Sequence, residues 1–350
     1  MVEPLLRIGR SDVTRIAAGA AFLGSGGGGD VSLGEQLLRR TIGDGAVEVV
    51  PASALSPSDL VIHTGVAGSP YVMDECPPHG DHLGDAVKAV ADRLGAKAAA
   101  VGIVEIGGLN ALTPLVAAAT LGLPVVDGDL MGRAFPRLDQ TSLAVAGRSI
   151  EPMAMVGSSG ETVLFTNCTN SQVGQLLWAN TQALGGAAAI ALYPTSAAVL
   201  SHEGIPGSLS MSHFLGTELE AADGLRSPRE LAERIGADLQ FEGRVDEIRP
   251  RARGVPGTLT VEDHHTGQVA RVDFMDEYLS VALDGRPTAA APDILAAMDV
   301  LSLRPVGTER LRRGQLLAMF RLPAVYAWPP EATDLVGPAG FGLGALSPDD

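Results

Sequence analysis

The sequence predicts an α/β protein in which an N-terminal doubly wound α/β domain precedes a β-rich C-terminal domain. Up to about residue 165, short β-rich runs alternate with segments of helical period, which is typical of a parallel sheet covered by helices. Beyond Ala237, β-rich segments and hairpin signals dominate. The 350 residues suffice for about two domains. We therefore expect an α/β domain over 1–166 and a β-rich domain over 167–350.

The first half of the chain carries most of the helix and strand signals. Ser11 or Asp12 can cap a helix that runs to Leu23. The apolar spacing then predicts helices over 32–42, 82–94 and 112–121, and strands over 47–50, 60–64, 98–104 and 124–126. Ligands of such sheets bind beyond the carboxyl ends of the strands. The segments directly after strands 98–104 and 124–126 are therefore the places to search for a site.

The pattern changes from Thr141 onward. We expect antiparallel strands over 141–145 and 150–165, with a turn at 157–160. Further along, we expect a strand over 187–193 and helices over 172–184, 208–219 and 228–235. Hairpin tips are predicted at His264–Gly267, Asp284–Gly285 and Arg312–Gly314. The segment 325–350, rich in proline and glycine, is expected to wrap as a C-terminal arm.

Composition limits the classes of partner and of compartment. The net charge of −16 argues against nucleic acid and anionic membrane surfaces. Cys76 and Cys168 show neither metal-ligand spacing nor a disulfide framework, which suits a reducing cytosol. No signal core and no apolar run of about 18 residues are present in the sequence. We expect a cytoplasmic homo-oligomer that binds a small-molecule substrate.

A glycine loop, Gly24–Asp30 (GSGGGGD), follows the apolar run 16–23 and precedes a predicted helix. So many glycines are typical of a backbone that adopts positive φ or approaches a neighbour closely. Free N–H groups at a helix start can bind an anion or a polarised carbonyl. The loop lacks the Gly-Lys-Ser/Thr ending of a phosphate loop, and it does not follow a strand as a dinucleotide fingerprint does. We assign substrate binding to Gly26, Gly27, Gly28, Gly29 and Asp30; the alternative is a flexible turn.

Four carboxylates stand beside glycines after apolar segments, namely Asp30, Glu105, Asp127 and Asp129. Burying a carboxylate at a strand end is costly unless it is paired, hydrogen-bonded or bound to a cation. Two functional interpretations stay open: a general acid/base pair, with Glu105 and Asp129 as catalytic residues, or a divalent metal site, zinc or similar, held by Asp127 and Asp129. The alternative is that some of these residues only cap loops.

Other polar residues near the strand ends carry weaker signals. Arg133 can hold a substrate carboxylate in bidentate fashion, or it can neutralise Asp127 or Asp129. Asn110 can orient a carbonyl, or cap the helix that follows it. His264 and His265 are expected to be solvated loop residues, and Cys168 a buried thiol. A metal-binding or acid/base role is the hypothesis for His79 and His82, and His202 and His213 flank the loop 204–210, whose glycines and serines can approach a ligand.

Several segments together resemble one family across nearly the full length. They are LGSGGGGD (23–30), VEIGGLNALTPLVAAATLGLPVVDGD (104–129), MGRAFP (131–136), PGSLS (206–210), PDIL (292–295) and VGPAGFG (336–342). The chain resembles the domain-of-unknown-function 917 family, also named the S-methyl thiohydantoin desulfurase-like family. This resemblance implies a two-domain cytosolic protein whose relatives accompany hydantoin- and oxoproline-processing enzymes. It also implies hydrolytic attack on a five-membered cyclic amide or thioamide, with a divalent metal.

The resemblance is matched residue by residue at Gly26–Asp30, Glu105, Gly107, Gly108, Asn110, Asp127, Asp129, Arg133 and Pro136. From their positions after the predicted strands, Glu105, Asp129 and Asn110 are expected to be catalytic, and Gly108 and Arg133 to bind substrate. The chain departs from the family pattern at Leu130, Arg137 and Asp276, and Arg137 is expected to change the charge near the pocket. The leading prediction is a hydrolase or desulfurase of a hydantoin-like or S-methyl thiohydantoin ring, using metal- or carboxylate-activated water. The alternatives are a ring-forming or ring-opening enzyme of a specialised pathway, and a non-catalytic small-molecule-binding subunit.

Overall fold

Two β-sheets form the framework of the computed structural model, which describes residues 2–75, 79–225, 227–252 and 254–344. We call the chain up to residue 236 the first half and the remainder the C-terminal half. The strands of the first half are β1 (Arg7–Gly9), β2 (Ala46–Val50), β3 (Leu60–Gly68), β4 (Ala98–Ile103), β5 (Val125–Val126), β6 (Gly128–Asp129), β7 (Met153–Val156), β8 (Thr162–Phe165), β9 (Ala187–Ser196) and β10 (Ile205–Pro206). Eight of them form a mixed sheet in the order β1-β2-β5-β4-β3-β9-β7-β8. Its centre, β2-β5-β4-β3, is parallel, as the strand–helix alternation predicts.

The helices lie mainly around this mixed sheet. They are α1 (Val13–Leu23), α2 (Val31–Ile42), α3 (Pro70–Glu75), α4 (Gly80–Leu94), α5 (Thr113–Leu121), α6 (Ser142–Val145), α7 (Asn170–Ala183), α8 (Ala197–Glu203), α9 (Ser208–Glu220), α10 (Pro228–Ile235) and α11 (Thr333–Val336). Both faces of the mixed sheet are buried, as two neighbouring residues of β3 show. Ile62 belongs to the hydrophobic core under α1, α2, α4 and α5, whereas Val61 belongs to the core on the opposite face. The sheet is therefore doubly wound.

A seven-stranded antiparallel sheet forms the C-terminal half. Its strands are β11 (Asp238–Arg249), β12 (Gly257–Asp263), β13 (Val269–Phe274), β14 (Tyr278–Leu283), β15 (Arg286–Ala290), β16 (Ile294–Asp299) and β17 (Leu316–Leu322), in the order β15-β14-β13-β12-β11-β17-β16. One face encloses its own core, and residues such as Phe320 on the other face pack against the helices of the first half. Phe320 contacts Phe22 of α1 edge to face. The two sheets thus meet where α1 ends and the glycine loop begins.

Helix α1 crosses α9 at very short distance because glycine lies at both contact points. A Cβ on Gly19 would lie 1.8 Å from the carbonyl oxygen of Ser212, and a Cβ on Gly216 would lie 1.8 Å from that of Arg15. No larger residue fits at either position without moving a backbone. This crossing fixes the end of α1, and with it the position of the glycine loop.

Three sequence expectations can be compared with the observed elements. The predicted strand over 141–145 is wrong: the segment is helix α6, because the Thr141 hydroxyl caps it by accepting a hydrogen bond from the N–H of Ala144. The C-terminal arm is confirmed as far as residue 344, where Trp328 and Phe341 pack on Phe135. Strand β9, beyond residue 167, lies within the mixed sheet, and the division at 166/167 stays a prediction. Cys76 lies outside the described residues.

Within the described ranges, none of the helices combines the length and the apolar character that crossing a bilayer requires.

Candidate functional site

The glycine loop adopts the conformations that its composition predicts. Gly26, Gly28 and Gly29 have φ of 91°, 79° and 80°, in the left-handed region that favours glycine. Ser25 shares this region with φ of 48°, although it carries a side chain. Such a conformation is strained for a residue other than glycine and is common at functional sites.

The loop lies between the two halves of the molecule and bonds to both. On one side, the N–H of Leu109 donates to the carbonyl of Gly28 over 2.7 Å. On the other side, the N–H of Tyr278 donates to Ser25 over 2.7 Å and that of Thr308 to Gly26 over 2.9 Å. The N–H groups of Gly26, Gly28 and Gly29 make no hydrogen bond within the described part of the chain. They are the donors that a ligand can use.

Glu105 lies just beyond the carboxyl end of β4 and is buried. One carboxyl oxygen accepts from the N–H of Phe135 over 3.1 Å, and the other accepts from the Asn110 side-chain amide over 3.3 Å. Asn110 is itself held in place by two hydrogen bonds with the backbone of Val66. Burial, and then the charge of Glu277, raise the pKa of Glu105 to about 8. A carboxyl of this pKa can act as a general acid near neutral pH.

Glu277 is a site residue that the sequence analysis did not identify. It follows β13 in the tight connection to β14 and is 3% exposed, and its Oε2 has no hydrogen-bond partner among the described residues. Burial and the neighbouring Asp276 raise its pKa to about 8, against the opposing effects of Arg133 and Arg251. Its signal in the sequence is the pair of acids in FMDEY between two apolar strands, where Asp276 was noticed and Glu277 was not.

Asp129 ends the short strand β6 and is 1% exposed. Its Oδ2 accepts hydrogen bonds from the N–H groups of Ile106, Met131 and Gly132, at 2.9, 3.1 and 2.9 Å. Its Oδ1 makes no hydrogen bond within the described residues, although the Ser208 hydroxyl lies near enough to favour the charged form. Burial raises the pKa of Asp129 to about 6, although the three N–H groups favour the charged form. Asp129 is therefore more acidic than Glu105 and Glu277.

Arg133 is buried and faces backbone rather than an open pocket. Its guanidinium donates to the carbonyls of Asp293, Tyr278 and Ala134, at 2.6, 2.8 and 3.2 Å. Burial lowers its pKa to about 10, while Glu277, Asp293 and Glu105 favour the charge. The geometry favours a structural role in which Arg133 links the loop after β6 to the C-terminal sheet. Its positive charge then compensates the negative charge of nearby carboxyls. Substrate binding by Arg133 stays a prediction.

Asp30 and Asp127 hold structural positions. Asp30 caps α2 by accepting from the N–H of Ser32, and it forms an ion pair with Arg310 over 2.7 Å. Asp127 accepts from the N–H groups of Leu209 and Ser210 and from the Ser210 hydroxyl, at the start of α9. These are the loop-capping roles that the sequence analysis gave as the alternative.

The residues around Asp127 and Asp129 do not fit a divalent metal. Both oxygens of Asp127 already accept hydrogen bonds, and Asp129 offers one free oxygen. Among the described residues, no close group of three His, Cys, Asp or Glu ligand atoms includes either aspartate. A hard cation needs more oxygen ligands than this arrangement supplies. No step of the reaction is therefore assigned to a metal ion at Asp127 and Asp129.

Unpaired polar atoms mark this region most clearly. Five buried side-chain oxygens of the described residues have no hydrogen-bond partner, and three of them are Ser25 Oγ, Asp129 Oδ1 and Glu277 Oε2. Buried polar groups are nearly always paired, so such a concentration points to a polar ligand or water between them. Ser25 was not singled out from the sequence, although it lies inside the glycine loop.

The other residues considered from the sequence lie away from these carboxyls. His79 caps α4, and His213 lies 3.4 Å from Asp12. Burial raises the pKa of the Cys168 thiol and favours its neutral form. Arg137 ion-pairs with Asp139 over 2.9 Å and bonds to the carbonyl of Gly340, and the expected change of charge near the pocket stays a prediction. Gly108 contacts the glycine loop directly, since a Cβ there would lie 2.2 Å from the Gly28 carbonyl oxygen.

Two cavities open near the loop. An open cavity of about 710 Å³ is lined by Arg310, Arg312, Arg313, Gly314 and Gln315. It adjoins the glycine loop through the ion pair of Arg310 with Asp30. A small cavity of about 80 Å³ lies beside the segment after Asp129 and the start of α9, where Gly132 and Ser208 contribute to its wall.

Comparison with known proteins identifies relatives of the whole chain. Residues 11–167 match the family model described as "S-Me-THD-like, N-terminal domain", and residues 168–348 match "S-Me-THD-like, C-terminal domain". A crystal structure of a protein from Chromobacterium violaceum superimposes with a TM-score of 0.82 at 23% identity, covering 98% of this chain and 99% of that one. That likeness establishes the fold. No curated protein matches the chain.

Proposed function

The chain belongs to the S-Me-THD-like family, and from this premise we propose that it is a hydrolase or desulfurase of a hydantoin-like five-membered ring. Family membership suggests an enzyme acting on hydantoin-like substrates. The observation that carries the finer proposal is a group of three buried carboxyls with raised pKa values, Glu105, Asp129 and Glu277. Glu277 contacts the glycine loop at Gly27, and the charges of Glu277 and Asp129 both raise the pKa of Glu105. Perturbed carboxyls of this kind cluster at catalytic sites.

The different pKa values divide the roles between the carboxyls. Asp129 has a pKa of about 6 and an unpartnered oxygen, so it is ionised at neutral pH and can accept a proton from water. Glu105 and Glu277 have pKa values of about 8, so each can hold a proton at neutral pH and donate it. When the environments of two carboxyls separate their pKa values, the group with the lower pKa is assigned as the base and the one with the higher pKa as the acid.

The proposed reaction on an S-methyl thiohydantoin begins with attack by water. Asp129 takes a proton from water while the water oxygen bonds to the ring carbon that bears sulfur. The C=N electrons move to the ring nitrogen, where the N–H groups of Gly26, Gly28 and Gly29 stabilise the developing charge. The proton of the added hydroxyl then passes to the ring nitrogen as the carbonyl forms and the C–S bond breaks. Glu105 or Glu277 protonates the departing sulfur, and the proton that Asp129 took from water restores this acid. The products are the hydantoin and methanethiol.

Burial of the carboxyls requires the loop to open. Glu105 and Glu277 are 6% and 3% exposed, so a substrate reaches them only when the glycine loop or the segment Thr308–Arg310 over it moves. The arginine-lined cavity beside this loop is unusual in a chain of net charge −16. It favours a ring that carries an anionic substituent, which the guanidinium groups would attract.

The test is turnover of S-methyl thiohydantoins and hydantoins, with and without a carboxylate side chain, by the purified chain. Methanethiol release or ring opening should be detectable, and Asp129→Asn should reduce it by at least about 100-fold. Of Glu105→Gln and Glu277→Gln, the variant that removes the acid should cause a loss of the same size, which identifies the acid. The matched control is Glu48→Gln, at an exposed position of β2. Tight substrate binding without product would indicate a binding protein instead, and unchanged turnover in all three variants would remove these carboxyls from the chemistry.

A further inference from the structure

A hairpin tip in the C-terminal sheet brings three metal-ligand side chains together. It joins β12 to β13, and Asp263 organises it by accepting from the N–H groups of His265 and Thr266, each over 2.8 Å. The second oxygen of Asp263 accepts from the N–H of Glu242 on β11 over 3.1 Å. One carboxylate thus fixes the backbones of Glu242 and His265 relative to each other.

The side chains converge above this turn. The Nε2 atoms of His264 and His265 lie 3.9 and 3.7 Å from Oε1 of Glu242, and the two ring centroids lie 5.3 Å apart. One ligand atom from each residue lies within 4.8 Å of the others. Ligands around tetrahedral zinc at about 2.0–2.1 Å are separated by about 3.4 Å, so small side-chain rotations close the gap. We propose that Glu242, His264 and His265 bind one divalent transition-metal ion of the zinc type.

The chemistry of the cluster supports this proposal. Two imidazoles and one carboxylate form a donor set that suits Zn²⁺ and leaves a fourth position for water. Among the described residues, Glu242 has no ion pair with Lys or Arg that a metal would have to displace. The sequence analysis took these histidines for solvated loop residues.

A metal here would tie β11 to the β12–β13 hairpin, outside the group of buried carboxyls at the glycine loop. The experiment is calorimetric titration of the chelator-treated chain with Zn²⁺, followed by thermal melting with and without the ion. One ion per chain should bind, and it should raise the melting temperature because it binds the folded state. His264→Ala and Glu242→Gln should each weaken binding by about tenfold or more, since even residues that only support a ligand change affinity on that scale.

His82→Ala is the matched control, because it removes one histidine from the other adjacent pair, His79 and His82, whose ring centroids lie 5.5 Å apart. It should leave Zn²⁺ affinity unchanged. Melting of each metal-free variant checks that it folds. Absence of stoichiometric binding, equal affinity in His264→Ala and the unmodified chain, or loss of binding only in His82→Ala would each overturn the proposal. Turnover of thiohydantoins plays no part in this test, so its failure and that of the proposed function are distinguishable.

Discussion

Glu105 of the mixed sheet and Glu277 of the C-terminal sheet face a common buried region, and the charge of Glu277 adds to burial in raising the pKa of Glu105. Each carboxyl belongs to a different half of the molecule. Arg133, which bonds to both halves, supplies a positive charge that favours ionisation of Glu277. The acid chemistry of the region therefore exists only when the two sheets are docked.

The first prediction concerns stability against pH. The pKa values of Glu105 and Glu277 are raised from 4.5 to about 8 on folding, so between these values the folded state binds more protons than the unfolded chain. The contribution of Glu105 and Glu277 to stability should therefore be greatest below about pH 4.5. It should decrease as pH rises from about 4.5 to about 8 and change little at higher pH. A loss of at least about 2 kcal/mol is expected, since each pKa unit corresponds to about 1.4 kcal/mol. Denaturant unfolding across this range measures it.

Glu277→Gln provides the comparison for this prediction. The amide cannot ionise, so the decline between about pH 5 and pH 8 should become shallower in the variant. An identical slope in the variant and the unmodified chain would show that Glu277 ionises freely in the folded protein.

The second prediction concerns activity against pH and rests on the proposed function. The base Asp129 must be ionised and the acid must be protonated, so kcat/KM should rise through about pH 6 and fall through about pH 8. Asp129→Asn should lose at least about 100-fold in kcat and remove the acidic limb of the profile. Rate measurements from pH 5 to pH 9 test this. A flat acidic limb in the unmodified chain would exclude Asp129 as the base.

The third prediction separates two functions of the glycine loop. A Cβ on Gly27 would lie 2.6 Å from Oε1 of Glu277, whereas a Cβ on Gly29 would meet only Leu109, at 3.5 Å. Gly27→Ala should therefore displace the Glu277 carboxyl and lower activity far more than Gly29→Ala. Gly29→Ala places a side chain at φ of 80° and should mainly cost stability, about 1 kcal/mol or more. Thermal melting and turnover on the two variants give the comparison, and equal activities would contradict it.

The fourth prediction is that Arg133→Lys destabilises the chain. A lysine keeps the charge but cannot donate along the separate directions in which the guanidinium reaches the carbonyls of Asp293 and Tyr278. A buried carbonyl left without a partner costs about 1–3 kcal/mol. The melting temperature should fall, and kcat should fall with it as the two halves separate. A rise in KM with unchanged melting would instead support the substrate-clamp interpretation.

The strand–helix alternation allowed the parallel centre of the mixed sheet to be predicted, because periods of two and 3.6 residues are local properties of the chain. Capping was harder to foresee. The segment Ser142–Val145 has the composition of a strand, yet the Thr141 hydroxyl and the surrounding packing make it a helix. Short elements of this kind are decided by tertiary contacts rather than by propensity.

The sequence by itself determined the doubly wound and β-rich halves, the conformation of the glycine loop, and the positions of Glu105 and Asp129 after strand ends, since glycine backbone freedom and the order of strands can be read from the order of residues. Only the tertiary structure placed Glu277 beside the glycine loop, turned Arg133 toward backbone carbonyls, and assigned Asp30 and Asp127 to helix caps. The physical reason is that burial and charge interaction depend on what lies nearby in space. A carboxyl acquires a raised pKa only when residues far away in the sequence exclude water around it and bring a second charge close.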